Sequence, residues 1–284
     1  MTLSQPKSYY LPSPSRWPIT GSIMMGLLGF GAAFAVNGYT VGFLLLGCGV
    51  GVMIYLLYGW FSTVARESEA GKFNKQVDTS FRWGMSWFIF SEVMFFGVFF
   101  GALFYTRVLS VPWLGDFQQK LLWPDFTAAW PTAGPGLTQP FTPMAAWGIP
   151  AINTLILLTS GVTVTLAHWA LIRNDRMKLI GWMFATIGLG LTFLCFQIYE
   201  YGHAYSELNL KLTTGAYGGT FFMLTGFHGF HVTVGCIMLT SILFRCVAGH
   251  FRPDHHFGFE GVAWYWHFVD VVWLLLFIFV STLG

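Results

Sequence analysis

Residues 265–277 read YWHFVDVVWLLLF, an apolar run that holds an imidazole, His267, and a carboxylate, Asp270. How that run is read decides the fold. If it lies in water, the two polar groups are ordinary. If it crosses a membrane, they need partners inside a helical bundle, because a charge at the bilayer centre costs roughly 3 kcal/mol on insertion scales. Composition favours the second case. Of 284 residues, 55% are hydrophobic and 9% are charged, against about 25% charged in soluble domains. Mean hydropathy is +0.61. The net charge of +2 gives no reason to expect a nucleic-acid partner.

Charges punctuate the chain, and the spans are read between them. From Arg16 to Arg66 there are 49 uncharged residues, enough for two spans split at the turn signal Asn37–Tyr39. Arg82 to Arg107 encloses 24 residues with one charge, Glu92. A loop at 109–145 follows, with Trp113, Trp123, Trp130 and six prolines; its aromatics favour an ordered cap at the membrane surface. A fourth span is expected near 146–171. Lys178 to Glu200 encloses 21 uncharged residues, Lys211 to Arg245 encloses 33, and a last run follows Glu260. The total is seven spans.

With the N-terminus inside, 11 of the 14 Lys and Arg residues fall on inner segments and 3 (Arg107, Lys120 and Lys211) on outer ones, as the positive-inside rule requires. The polar start of the chain lacks the pattern of a cleaved signal, so the first apolar run is expected to remain as a span. Cys48, Cys195, Cys236 and Cys246 lie in or beside apolar runs, so neither a disulfide framework nor a zinc site is expected of them.

Five ionisable groups fall near mid-membrane. Glu92 lies ten residues past Arg82, and Asp270 ten past Glu260, about 15 Å at the helical rise. His228 is 17 residues from both Lys211 and Arg245, with His231 one turn on and His267 one turn before Asp270. The pairs His228/His231 and His267/Asp270 are spaced i, i+3 and share a helix face. A protonated, neutral Glu92 is the cheapest carboxyl to keep there. A metal or haem site, a proton path and a network that fixes helix register all use such groups; the last is the commonest use. Thr159–Thr165 and the Gly47-x-x-x-Gly51 repeat are read as faces for close helix approach. At the inner surface Trp60, Arg66, Glu67 and Arg245 are candidates for a lipid headgroup site.

The segments HHFGFEGVAWYWHFVDVVWLLLF (255–277), FHGFHVTVG (227–235), FIFSEVMFF (88–96), GIPAINTLILLTSGVTVT (148–165) and VARES (64–68) closely resemble the cytochrome c oxidase subunit III family, in order and over nearly the whole chain. The resemblance implies an all-α membrane protein of seven transmembrane helices. Helices 1–2 and helices 3–7 would form two bundles around a V-shaped, lipid-filled cleft. It implies an inner segment at 1–16, helices 1–2 with their inner loop at 17–80, and a five-helix unit at 81–284.

It further implies a supporting subunit with no cofactor of its own. Haem and copper would sit in partners, the catalytic subunit I with subunit II beside it. Bound phospholipids would meet Arg66, Glu67 and Arg245, and Glu92 would be a buried carboxyl near the cleft. The implied role is to sustain proton uptake and turnover of a proton-pumping oxidase, and the Phe-rich third span suits a proposed oxygen route and plain helix packing equally. Lys72, Phe73 and Asn74 stand where the mitochondrial pattern has histidines. With the long 109–145 loop, this points to a bacterial plasma membrane, N-terminus cytoplasmic and C-terminus periplasmic. A haem-binding membrane enzyme and a proton-coupled transporter are the alternatives.

Overall fold

The computed structural model describes residues 10–137 and 140–282. Residues 1–9, which hold Lys7 and most of the expected inner segment, lie outside the described residues. Among the described residues seven helices are long and apolar enough to cross a membrane. They are α1 (Trp17–Val36), α2 (Val41–Glu69), α3 (Lys75–Phe104), α6 (Ile149–Ile172), α7 (Arg176–Ser206), α8 (Gly215–Ala248) and α9 (Phe257–Leu276). Two short helices, α4 (Val111–Leu114) and α5 (Phe117–Lys120), lie between α3 and α6. The ends of α3 and α9 widen into π-helical turns, Tyr105–Ser110 and Phe277–Thr282. No β-strand occurs among the described residues. The chain divides into two compact units, residues 1–81 and 82–284, so the division falls inside α3.

In the first unit α1 and α2 form a hairpin. Gly38 makes the turn at φ +82°, a value that favours glycine. The helices meet through small residues. A methyl on Gly31 would lie 2.8 Å from the Leu46 nitrogen, one on Gly49 2.7 Å from a Leu28 methyl, and one on Gly42 would strike the Ala35 backbone. Gly47 and Gly51 have open space where a side chain would go. The repeat expected to bring helices together therefore faces outward, and Gly42 and Gly49, seven residues apart, do that work. Sequence spacing identifies a face but not which way it turns.

The second unit is organised by α9, which buries twelve of its residues. Trp266 has no exposed surface. Its ring lies where a methyl on Gly190 of α7 would come within 2.7 Å, or one on Gly235 of α8 within 2.8 Å. Its indole N–H donates to Ser160 Oγ of α6 at 2.9 Å. One side chain thus touches three neighbouring helices. Two turns along, the Trp273 N–H donates to Thr154 Oγ1 of α6 at 3.0 Å. Thr163 and Thr186 join α6 to α7 at 2.8 Å, whereas Thr159 is exposed and bonds only its own helix. Without a hydrophobic force between helices in lipid, close packing and such bonds hold the bundle, each bond worth roughly 0.6 kcal/mol.

The loop packs onto the start of α8. Ala216 and Tyr217 donate their N–H groups to the carbonyls of Ala133 and Thr132 at 3.1 and 3.0 Å, and the Trp130 and Phe141 rings lie against Tyr217. Gly215, at φ +64°, is where this approach is tightest: a side chain there would collide with the Ala133 carbonyl.

Glycine at 190 and 235 is required by the Trp266 slot. Gly190→Ala or Gly235→Ala is expected to destabilise the protein by about 1–3 kcal/mol, the usual cost of overpacking. Gly188→Ala, with open space around it, is expected to be close to neutral. Thermal unfolding of the detergent-purified variants checks the ranking.

Candidate functional site

Glu92 and His231 meet across α3 and α8. His231 Nε2 lies 3.0 Å from Glu92 Oε2, and its Nδ1 lies 2.6 Å from the Phe227 carbonyl. A carbonyl only accepts, so Nδ1 carries a proton. The Glu92 contact then needs one more proton, either on the carboxyl, donating to Nε2, or on Nε2, donating to a carboxylate. Phe96 lies edge-on to the imidazole at 5.0 Å and Tyr265 stacks on it at 6.4 Å. The pair is not sealed: its side chains are 9% exposed at His231 and 21% at Glu92.

Asp270 and His267 form a second group. Asp270 Oδ2 lies 3.7 Å from His267 Nδ1, and His267 Nε2 is 3.2 Å from Thr165 Oγ1 of α6. Asp270 fits because α6 has glycine at 161, where a methyl would strike the carboxylate. Asp270 is buried, whereas the His267 side chain is 45% exposed. His267 is one residue past the inward Trp266, about 100° round the helix, so its ring turns to the bundle margin. His228 stands apart: buried, its Nε2 is 3.2 Å from the Val269 carbonyl and its ring packs on Trp273 at 5.0 Å and Phe193 at 5.6 Å. The five deep groups thus form two pairs and a single histidine. Among the described residues no hydrogen bond or ion pair links one pair to the other.

Of the headgroup candidates, three belong to the first unit. Trp60 is 49% exposed. Arg66 Nε donates to the Ser62 carbonyl at 3.2 Å, and Glu67 accepts from the Tyr10 hydroxyl at 2.9 Å. The Lys72 ammonium lies over the Tyr10 ring at 5.5 Å, so Lys72 takes part in the same surface. Arg245, in the second unit, ends α8 with its guanidinium 4.5 Å from the Phe251 ring centre, at the helix end that favours a cation.

A cluster that sequence spacing had not singled out joins four segments of the second unit. Glu260, in the first turn of α9, pairs through Oε2 with Arg82 of α3. Its Oε1 faces His256 Nε2 at 3.0 Å and His168 Nε2 of α6 at 3.6 Å. Arg82 and Glu260 had served only as span boundaries. The available signal was the i, i+4 spacing of His256 and Glu260; His168 and Arg82 join them only through tertiary packing. Glu200, also a boundary in the sequence, is buried within α7 at 5% exposure. At the bundle surface Lys178 pairs with Asp175 at 2.8 Å and holds its carboxyl below the usual range.

Breaking one partner of a buried pair strands the other. Glu92→Leu and His231→Leu are each expected to cost about 1–3 kcal/mol, and the double variant less than their sum. Thermal unfolding of the four proteins measures the coupling; strict additivity would mean that the pair is not an energetic unit.

Residues 7–284 match the family described as cytochrome c oxidase subunit III. The chain is 40% identical over 279 residues to "Cytochrome c oxidase subunit 3" of Marchantia polymorpha, covering 98% of this chain and 97% of that protein. It is 40% identical over 272 residues to the protein of that name from Papio hamadryas, covering 95% of each. The Prototheca wickerhamii protein of that name is 40% identical over 271 residues, again with 95% of each covered. A match that runs through all seven spans, over motifs that place Glu92, His231 and Asp270 on three of them, fixes the assignment: the chain belongs to the cytochrome c oxidase subunit III family.

Proposed function

We propose that this chain is a non-redox supporting subunit of a proton-pumping cytochrome c oxidase. It would bind structural lipids and sustain proton uptake and turnover stability in a catalytic haem–copper subunit I, with subunit II in the same complex. The observation that carries this reading is how the deep imidazoles are used. His231 is engaged at both nitrogens, by Phe227 and Glu92; His228 meets the Val269 carbonyl; His267 meets Thr165 and Asp270. These contacts tie α3, α6, α8 and α9 together, which is what an architectural part needs.

The outward face of α3 supports a docking role. Trp83, Trp87, Phe90, Met94 and Val98, at helical spacing, are each more than half exposed, while Phe96 and Leu103 on the other side are buried. A stripe of that kind is made for lipid or for a neighbouring subunit. Trp60, Arg66, Glu67 and Arg245 are the proposed lipid contacts, in which an arginine fork meets a phosphate beside an interfacial tryptophan. The positive-inside count supports an N-terminus in the cytoplasm or its equivalent. A bacterial plasma membrane is the first reading of location; the eukaryotic relatives favour the mitochondrial inner membrane as the second.

Two outcomes are expected. Oxidase stripped of this chain should keep its haem and copper and its initial rate, and lose activity faster during turnover; loss of haem in proportion to the chain would contradict the role. Arg245→Ala should leave the complex assembled and remove a bound phospholipid in native mass spectrometry; an unchanged lipid complement would rule out that contact.

A further inference from the structure

We propose that His168, His256 and Glu260 form a zinc-type divalent metal site at the end of the second unit where α6 finishes and α9 begins. Each offers one ligand atom, and the three lie within 4.8 Å of one another. Glu260 Oε1 is 3.0 Å from His256 Nε2 and 3.6 Å from His168 Nε2. Ligands on a tetrahedral zinc at about 2.0–2.1 Å stand about 3.3 Å apart, so these separations bracket what one ion needs. Both Nε2 atoms are shielded from water and make no hydrogen bond. Two imidazole nitrogens and a carboxylate this close together need a proton or a cation among them, and a divalent ion meets all three at once.

The surroundings are those of a ligand set. His256 Nδ1 lies 3.1 Å from the Arg252 carbonyl. That carbonyl can only accept, so Nδ1 carries a proton, and the neutral ring turns its Nε2 lone pair toward Glu260. A metal-bound histidine usually has such a partner on its other nitrogen. Arg82 takes the other oxygen of Glu260, which leaves Oε1 free to bind through one atom. The His168 ring is steadied by Phe259, stacked at 5.6 Å and 29°. Two imidazoles and one carboxylate suit zinc and its transition-metal neighbours, whereas calcium and magnesium take oxygen ligands. With side chains 26%, 10% and 13% exposed at His168, His256 and Glu260, the site lies near the surface, and a small movement of the groups that cover its nitrogens admits an ion with water in a fourth position.

Such an ion would pin the start of α9 to the end of α6. The test is equilibrium dialysis of the detergent-purified complex against zinc chloride, followed by metal analysis. Wild type is expected to retain one more zinc per chain than His168→Gln or His256→Gln, and zinc is expected to raise the thermal midpoint of wild type only. Zinc-edge X-ray absorption on wild type should show imidazole and oxygen scattering that falls in His256→Gln. Equal zinc in wild type and both variants, or a sulfur-ligated ion as the only one bound, would overturn the proposal. If neither variant assembles, the wild-type absorption spectrum alone decides, because an ion without imidazole ligands sinks it.

Discussion

Trp266 is the side chain on which the second unit depends. A membrane bundle gains little from excluding water between helices, so it must be held by close fit and by paired polar groups. Trp266 supplies both. Its ring fills a slot that exists only because Gly190 and Gly235 lack side chains, and its N–H finds Ser160. Setting the rotation of α9 in this way places Asp270 over Gly161, Trp273 on Thr154, and the Val269 carbonyl within reach of His228. A different rotation would turn a carboxylate toward acyl chains.

The polar groups of α9 then divide by depth. Asp270, far along the helix, is answered by His267 on its own helix and by the glycine face of α6. Glu260, in its first turn, is answered by Arg82, His168 and His256 from three other segments. The first set joins α9 to α6 through His267 and Thr165. The second set lies where α9 begins, against α3 and α6. Sharing one helix, the two sets are coupled in position, though not in chemistry.

Much of this was legible in the sequence. Charges bound the spans, because an unpaired charge does not enter the hydrocarbon core, and seven helices stand where seven apolar runs stood. Position along each helix was legible too, since rise per residue converts a count into a distance. Rotation was not. Gly47 and Gly51 satisfied a spacing rule and face outward, while Gly42 and Gly49 make the contact. His267 and Asp270 share an i, i+3 spacing, yet one ring reaches the margin and the other carboxyl is buried. Glu92 and His231 belong to one expected cluster, but they stand 139 positions apart, and only the approach of α3 to α8 pairs them. The Glu260 cluster draws on Arg82 and His168, 178 and 92 positions away by subtraction, which no local pattern reveals.

The central claim is that the deep histidines are spent on joining helices. A high-resolution density map of the assembled oxidase tests it most directly. The account predicts His231 between Phe227 and Glu92, His228 on the Val269 carbonyl and His267 beside Thr165, with no metal density at any of the three rings. An iron or copper atom bound to any of those imidazoles would contradict it.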